Sequence, residues 1–559
     1  MTMTPIADYI IVGAGSAGCV LAARLSEDRE VSVLLLEAGG SDASPFVRMP
    51  SAFSIPMNSS RYDWGWHTDP EPHMDGRRLH CPRGRVLGGS SSINGMVWVR
   101  GHPRDFDRWA ELGASGWDWA GVAPYFRRVE RFTSGAGAQA DPRRGLDGPV
   151  GIRQGDRSNA LYGAFLDAAA ASGYAVVDDL NGARQEGFGP LDMNVADGMR
   201  ASSYRAWLVP VLDRPNLEVR ARQNVERLEL VDDGDGPRAT GVVLTDGTVL
   251  SAGREVISAA GAIGSPTLLL RSGIGPGERL QAAGVAPRVE LAGVGENLMD
   301  HLEAYVQQAC TQPISLNGRL TLLGKALIGA RWLLRRDGLG ATNHFEAGGF
   351  IRSAAGVEWP DIQFHFLPAA VRYDGRDAGT AHGFQAHVGP MRPESRGRIR
   401  LCGPKLADAP SIRFDYLAAE IDREVFRRAL RLTREIFAAE PFAALRGEEI
   451  APGPDAQDDS ALDAFVRERA ESAYHPCGTC AMGEGPAAVV DSECRVRGVR
   501  GLRVIDSSIF PDIPNGNLNA PTTMLADRAS DLVRGRATLA REPLPYYTDP
   551  EQADRQRSV

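Results

Sequence analysis

Three glycines near the N-terminus have a spacing that suits the binding of phosphate groups. Gly13, Gly15 and Gly18 form GxGxxG directly after the apolar run DYIIV, which begins at Asp8. In such a turn the first glycine permits a tight bend, the second lets the backbone approach a pyrophosphate, and the third lets helix and strand pack closely. The helix that follows, near Ser16, adds free N–H groups and a positive dipole end.

A carboxylate follows these glycines at a second informative distance. Glu37 ends the next apolar run, VSVLLLE, and lies 19 residues after Gly18. A carboxylate near this spacing binds the ribose hydroxyls of a dinucleotide. The order of strand, glycine turn, helix, strand and acid therefore predicts a dinucleotide site. The acid disfavours NADP and leaves NAD and FAD open.

Three segments of the chain have the pattern of a strand, a glycine turn and a helix. They begin at Asp8, Arg254 and Gly501. Each starts with a short apolar run of the kind that buried parallel strands show. Two segments lie near the chain ends and one lies near the middle. A single sheet built from all three would therefore belong to a discontinuous domain.

We therefore predict an α/β protein, α+β overall, with a discontinuous Rossmann-like nucleotide-binding domain. A second, substrate-binding domain would hold an antiparallel sheet and flanking helices. The C-terminal tail is rich in proline and charge, and we expect it either to lie over the surface or to be poorly ordered. The expected boundaries are 1–155, 215–305 and 485–540 for the first domain, 156–214 and 306–484 for the second, and 541–559 for the tail.

The composition argues against two classes of protein. The formal net charge is −9 and no long basic run occurs, which argues against a nucleic-acid partner. No apolar run reaches the roughly 20 residues of a membrane helix, and the N-terminus shows no secretory signal. We expect a cytoplasmic protein, and peripheral attachment to the inner membrane stays open.

The seven cysteines show no disulfide framework, because an odd number at irregular spacing argues against systematic pairing. Cys477 and Cys480 form CxxC, but there is no second pair for zinc and the redox fold context is missing. We expect no metal and no chemical role for this motif.

Five further segments carry a family resemblance. They are PRGRVLGGSSSINGMVWVRG from Pro82, GAIGSPTLLLRSGIGP from Gly261, VGENLMDH from Val294, YHPCGTCAMG from Tyr474 and NGNLNAPTTM from Asn515. Together and in this order they resemble the glucose–methanol–choline oxidoreductases, nearly from end to end. The resemblance implies FAD rather than NAD as the cofactor, and oxidation of an alcohol by hydride transfer to the flavin.

The resemblance also implies which residues contact the cofactor. Some family members attach FAD covalently through a histidine near the residue that matches Asn94. Here residues 90–93 are Ser, Ser, Ser and Ile, so we expect FAD that is not covalently bound. Besides the glycine turn with Ser16 and Glu37, the expected cofactor contacts are Gly89, Asn94, Gly95, Met96, Val97, Val225, Asp506, Asn519 and Pro521.

By the same resemblance, His475 is the catalytic base or the group that stabilises the alkoxide. A histidine titrates near neutrality and can accept the proton of an alcohol. The second member of the family's catalytic pair is histidine or asparagine and comes just before the closing helix. Asn519 matches that place best, and Asn517 is the alternative because NxN leaves the register ambiguous.

Two segments, NHFEAGGFIR from Asn343 and WPDIQFHFLPAAVRYDG from Trp359, resemble the choline-oxidising members of the family. The quaternary ammonium of choline donates no hydrogen bond, so aromatic faces and a carboxylate must hold it. Glu346 matches a substrate-binding carboxylate in such relatives. Trp64 and Tyr474 are the expected aromatic contacts.

Several points stay open from the sequence. Some choline oxidases carry an extra histidine in the second domain, and His365 and His382 lie nearby in no clear register. The electron acceptor is a quinone or another acceptor, and a second oxidation to glycine betaine is an extension of the first. A dehydrogenase of neutral aliphatic alcohols or polyethers is one alternative. A flavoprotein lyase or non-redox flavin binder is another.

Overall fold

The computed structural model describes residues 5–133, 141–371 and 381–557, which form a mixed α/β structure. None of the helices in these residues is long and apolar enough to cross a membrane. The helices of nine or more residues in this part of the chain are α1 Ser16–Leu25, α2 Pro103–Glu111, α3 Trp119–Val129, α4 Ala160–Ala171, α5 Gly261–Arg271, α6 Leu322–Arg335, α7 Glu420–Ala438, α8 Asp459–Arg469 and α9 Asn519–Val533.

The first of two large sheets carries the glycine turn. All three predicted strand–turn–helix segments contribute a strand to it, because Ala7–Val12 and Leu502–Val504 both lie parallel to Val249–Ser258. The central strands are buried, which explains their runs of Val, Ile and Leu. In spatial order the main strands are Leu217–Ala221, Val33–Glu37, Ala7–Val12, Val249–Ser258, Pro237–Leu244 and Val225–Asp232.

The second large sheet is antiparallel at every pairing, which confirms the predicted sheet type. Glu471–Ser472 adds a short pairing to Leu302–Cys310. In spatial order the main strands are Arg446–Ala451, Leu302–Cys310, Gly383–Pro390, Ile362–Leu367, Ala347–Ile351 and Gly187–Pro190. A smaller sheet contains Val97–Trp98, Asp192–Met193, Val150–Gln154 and Glu130–Thr133.

The chain passes back and forth between the two large sheets. Strands of the first come from 7–37, 217–258 and 502–504, and strands of the second come from 187–190, 302–390 and 446–472. We therefore propose the discontinuous two-domain division with the boundaries predicted from the sequence.

The described part of the tail, residues 541–557, lies over the surface, which is the first of the two expected outcomes. Trp119 donates its indole N–H to the carbonyl oxygen of Leu544 at 3.1 Å. Arg352 donates to the carboxylate of Asp549 at 2.6 Å, and both side chains are buried. A buried ion pair of this kind fixes the tail against the second sheet.

The glycine turn leaves no room for larger residues. Gly13 has a φ of +100°, a conformation that favours glycine. A Cβ on Gly18 would lie 1.8 Å from the carbonyl oxygen of Gly13, so only glycine lets α1 pack this closely on its strand.

Candidate active site

One long cavity receives most of the predicted site residues. Its wall is formed by the glycine turn, the segment 82–97, the strand Leu302–Cys310 and the start of α9. Gly18, Glu346 and Pro521 lie outside this wall. The predicted residues on it are Gly13, Gly15, Ser16, Glu37, Trp64, Gly89, Asn94, Gly95, Met96, Val97, Val225, Tyr474, His475, Asp506 and Asn519.

Two glycine turns meet closely at one side of the cavity. A Cβ on Gly89 would lie 2.6 Å from the Cα of Gly15, so the two backbones approach without side chains between them. No side chain caps α1 at Gly15, which leaves the first N–H groups of the helix free for a ligand. This cradle fits the diphosphate of a dinucleotide.

Two buried carboxylates flank the cradle. Glu37 accepts hydrogen bonds from the backbone N–H groups of Ala14 and Gly39 at 2.9 and 2.8 Å. Burial raises the pKa of Glu37 to about 7. Asp506 accepts from the N–H of Gly261 and the hydroxyl of Ser265. Asp506 also accepts from the N–H of Ser508 at 2.8 Å. A carboxylate has about four acceptor positions, so Glu37, with two of them filled, retains capacity for ligand hydroxyls.

Arg200 organises the segment that carries Asn94, and sequence reasoning missed it. Its guanidinium is buried and donates to the side-chain and main-chain oxygens of Asn94, at 2.6 and 2.7 Å, and to the carbonyl of Ser91. Burial lowers the pKa of Arg200 to about 9. An arginine 106 residues away along the chain gives no local signal that would reveal this contact.

His475 lies on the cavity wall, on a segment that Asp300 holds in place. The main-chain N–H of His475 donates to the Asp300 carboxylate at 2.6 Å. The same carboxylate accepts from the hydroxyls of Tyr416 and Ser472. Tyr474 has a φ of +66°, which turns the chain directly before His475.

The hydrogen bonds of His475 define where its protons lie. His301 Nε2 is 3.0 Å from the carbonyl oxygen of Met391, which only accepts, so this nitrogen carries a proton. Burial lowers the pKa of His301 to about 4, so its ring is neutral and Nδ1 accepts. His475 Nδ1, 3.0 Å away, therefore donates to it. Asn517 Nδ2 donates to the remaining nitrogen, His475 Nε2, at 3.0 Å.

This last contact corrects the predicted partner of His475. Asn517 is beside the imidazole, whereas the side chain of Asn519 accepts a hydrogen bond from Ser16 at 3.0 Å. Asn519 is the first residue of α9, so it faces the cradle, and Asn517 lies in the turn before the helix. Counting back from the helix could not separate two asparagines two residues apart.

Glu303 is a further carboxylate on the cavity wall, and sequence reasoning missed it. Gln385 Nε2 donates to His387 Nε2 at 2.7 Å, so the other ring nitrogen of His387 donates to Glu303 at 3.1 Å. Burial acts to raise the pKa of Glu303, but the interactions with His387 and His365 outweigh it and the pKa is lowered. Glu303 is therefore ionised at neutral pH.

The substrate-binding prediction for Glu346 is wrong in its position. The Glu346 side chain is buried outside the cavity wall, where it accepts from the N–H of Arg157 at 2.6 Å and the hydroxyl of Thr342 at 2.7 Å. Both carboxylate oxygens thus bind the protein's own loops. The motif VGENLMDH ends two residues before Glu303. This nearby motif is the sequence signal that could have pointed to Glu303 as the carboxylate of the site.

Aromatic side chains line the same cavity as Glu303. Trp64 is on the cavity wall and stacks on Trp66 at 5.1 Å between ring centroids. Tyr474 lines it too, as do Tyr305 and Phe345. The arrangement combines an ionised carboxylate with aromatic faces, which suits a cationic ligand without N–H groups.

Two histidines of the second sheet also reach the cavity. His365 and His387 lie opposite each other on Ile362–Leu367 and Gly383–Pro390, and both line the wall. The sequence left the extra histidine without a clear register. In the structure two histidines, His365 and His387, line the cavity, whereas His382 contacts Ser315.

The GMC oxidoreductase family matches residues 7–303 and 393–526, which together are most of the chain. The chain belongs to this family. The resemblance predicted from the five motifs is therefore confirmed. The two matched segments include the glycine turn, Glu303, His475 and Asn517.

Two bacterial relatives of this GMC oxidoreductase are named oxygen-dependent choline dehydrogenase. The protein from Photobacterium profundum is 54% identical and covers 99% of this chain and 97% of its own length. The protein from Brucella anthropi is 51% identical, with 97% and 98% covered.

Solved structures of flavoenzymes share the fold. Pyridoxine 4-oxidase from Mesorbium loti has a TM-score of 0.85 and 33% identity, and covers 95% of this chain and 100% of its own. A formate oxidase has a TM-score of 0.88 and 25% identity, with 96% and 99% covered.

The proton arrangement of this GMC oxidoreductase can be tested by replacing His301. Burial, and then the nearby His301 and His365, lower the pKa of His475 well below 6.5, so its ring is expected to stay neutral at pH 7. In His301→Asn the amide oxygen can still accept from His475 Nδ1, whereas His301→Leu removes the acceptor. We expect Nδ1-protonated His475 in the wild type and His301→Asn, and mixed tautomers in His301→Leu.

Nitrogen NMR of ¹⁵N-histidine-labelled protein, followed from pH 8 downward, distinguishes these forms. His475→Asn spectra assign the resonances. Protonation of His475 Nε2 in the wild type at pH 7 would contradict the hydrogen-bond assignment.

Proposed function

We propose that the protein is an FAD-dependent choline dehydrogenase that oxidises choline to betaine aldehyde. The observation that carries the proposal is the presence of ionised Glu303, a ring of aromatic side chains and the acceptor nitrogen of His475 in one cavity. The similarity to named choline dehydrogenases at 51–54% identity supports it.

The residues present fit FAD. The cradle of Gly15, Gly89 and α1 would hold the diphosphate, and Glu37 would accept from the ribose hydroxyls. Val225 would contact the adenine, and Asn94 to Val97 with Asp506 would line the flavin and its side chain. When bound, FAD supplies the two-electron acceptor that takes a hydride from the alcohol carbon.

His475 acts as the proton acceptor in this proposal. A substrate hydroxyl that donates to His475 Nε2 replaces the contact with Asn517, whose amide then donates to the substrate oxygen. The proton moves to Nε2 as the C–H bond breaks, and His301 accepts throughout from Nδ1. A flavin-binding protein without catalysis would have no use for this acceptor, so the arrangement argues against a non-redox binder.

Glu303 binds the trimethylammonium group in this proposal. Its charge attracts the cation directly, and the aromatic side chains Trp64, Tyr305, Phe345 and Tyr474 line the same cavity. A neutral alcohol would leave the ionised carboxylate at the end of the cavity without a counter-charge, which is unfavourable in a partly buried site. The site therefore favours choline over aliphatic alcohols or polyethers.

A second oxidation follows from the same geometry. The hydrate of betaine aldehyde is an alcohol with the same cationic group, so it presents a hydroxyl to His475 Nε2 in the same way. We propose glycine betaine as the final product. For the reoxidation we propose molecular oxygen, which the names of the relatives indicate, alongside a quinone.

Glu303→Gln should raise the KM for choline by roughly 100-fold, because the neutral amide removes most of a close charge–charge attraction. The effect on 3,3-dimethylbutan-1-ol, which has the shape of choline without its charge, should be small. Steady-state kinetics with both alcohols measures this difference.

Glu346→Gln is the matched control, since Glu346 binds Thr342 and the backbone rather than the cavity. Its KM for choline should stay within about 3-fold of the wild type, a change of about 0.7 kcal/mol. A larger rise in Glu346→Gln than in Glu303→Gln would restore Glu346 as the cation-binding residue.

FAD should dissociate when the protein is precipitated with acid. The segment beside the flavin offers Ser90, Ser91, Ser92 and Ile93, none of which can form a histidyl bond. We expect a colourless pellet and a yellow supernatant. A pellet that keeps its flavin absorbance would mean that another side chain is attached covalently.

A further inference from the structure

Helix α6, Leu322–Arg335, has one buried side chain. Trp332 is the only residue of this helix that is buried, with 1% of its surface exposed. Its indole N–H donates to the carbonyl oxygen of Gly198 at 2.7 Å, and the guanidinium of Arg336 lies 4.0 Å from its ring. Thr321 caps the first turn by accepting from Gly324. Gly324, Ile328 and Gly329 are half-buried, and the other residues of the helix are exposed.

The outer face of α6 is apolar over two turns and more. At about 100° per residue, seven side chains fall in an arc of roughly 140°, and all of them are exposed. Leu322 and Leu334 are 88% and 84% exposed. The residues of this face, which we call the leucine face, are Leu322, Leu323, Ala326, Leu327, Ala330, Leu333 and Leu334.

Cationic side chains border the leucine face on both sides. Lys325 lies beyond one edge of the arc and Arg331 and Arg335 lie beyond the other, whereas Arg336 packs on Trp332. The stretch 319–337 has five cationic residues and one carboxylate, Asp337, which pairs with Arg331 at 2.6 Å. This local charge is opposite to the net charge of −9 of the whole chain.

We propose that the leucine face docks the protein on an anionic phospholipid bilayer, with α6 lying in the plane of the interface. An exposed face of five leucines exceeds the scattered apolar residues of ordinary surfaces. Leucines bury into the boundary between headgroups and acyl chains, and the bordering cations reach lipid phosphates. The cationic border attracts anionic lipid headgroups, whereas in a two-fold dimer through this face the two cationic borders would repel each other.

The docked helix would place the bilayer next to one wall of the active-site cavity. The short helix Gly338–Ala341 follows α6 and packs against both α6 and the short helix Pro50–Ala52. Asn343 then donates to the carbonyl oxygen of Gly95, and Phe345 lines the cavity. The membrane surface and the cavity are thus joined by a few residues of continuous chain.

Vesicle flotation of the full-length holoenzyme tests the proposal. The probes are vesicles of phosphatidylcholine alone and of phosphatidylcholine mixed with phosphatidylglycerol. We expect the protein to float with the anionic vesicles. Its partition onto neutral vesicles should be at least ~10-fold lower, since each basic residue near an anionic surface contributes to binding. Leu322→Gln/Leu323→Gln/Leu334→Gln should lower the partition by at least ~10-fold, because it removes buried apolar area.

The control variant carries the same number of changes at exposed apolar positions outside α6, Leu146→Gln/Val176→Gln/Ile450→Gln. It should float like the wild type, and both variants should keep turnover with a soluble dye, which shows that they are folded. Wild-type protein that does not float, or a leucine variant that floats unchanged, would overturn the proposal. A wild-type dimer that the leucine variant dissociates would overturn it too, because the face would then join two copies of the chain.

Discussion

The carbonyl oxygen of Met391 can only accept a hydrogen bond, and the proton positions around His475 depend on that limit. His301 must direct its N–H at this oxygen, so its other nitrogen accepts from His475. His475 is left with an unprotonated Nε2 that faces the cavity beside Asn517. Burial reinforces the result, since it keeps both imidazoles neutral. A fixed tautomer is what a general base needs before the substrate arrives.

One short stretch links this proton chain to substrate recognition. Asp300 holds the backbone of His475, His301 accepts a hydrogen bond from its Nδ1, and Glu303 supplies a negative charge on the cavity wall. Glu303 belongs to the strand Leu302–Cys310, so the second sheet fixes its distance from His475 on the neighbouring segment. The first sheet and α1 provide the nucleotide cradle. Each sheet therefore positions a different part of the site: the first carries the cofactor-binding residues, and the second positions the base and the carboxylate.

The sequence predicted what depends on local spacing and failed where contacts are distant in the chain. Gly13, Gly15 and Glu37 could be read because strand, turn and acid follow within one βαβ unit, and the structure has each of them on the cavity wall. Asn517 could not be separated from Asn519, because a two-residue shift in a turn is invisible to counting. Glu346 resembled a substrate carboxylate, but the folding of its loop turns it onto Thr342.

The exposure of α6 could not be predicted from the sequence either, since an apolar helix of 14 residues has the same sequence pattern in a core as on a surface. Arg200 and His387 also reach the site from distant segments. What remained beyond the sequence was tertiary packing, which decides which of several polar residues face one cavity.

The central claim is that the ionised Glu303 and the unprotonated His475 select and oxidise a cationic alcohol. Its most direct test is anaerobic stopped-flow reduction of the protein-bound flavin, with choline compared against 3,3-dimethylbutan-1-ol at equal concentrations. The account predicts rapid bleaching by choline that saturates at low concentration, and slow bleaching by the neutral analogue. Equal or faster reduction by the neutral alcohol would contradict it and leave a general alcohol dehydrogenase of the same fold.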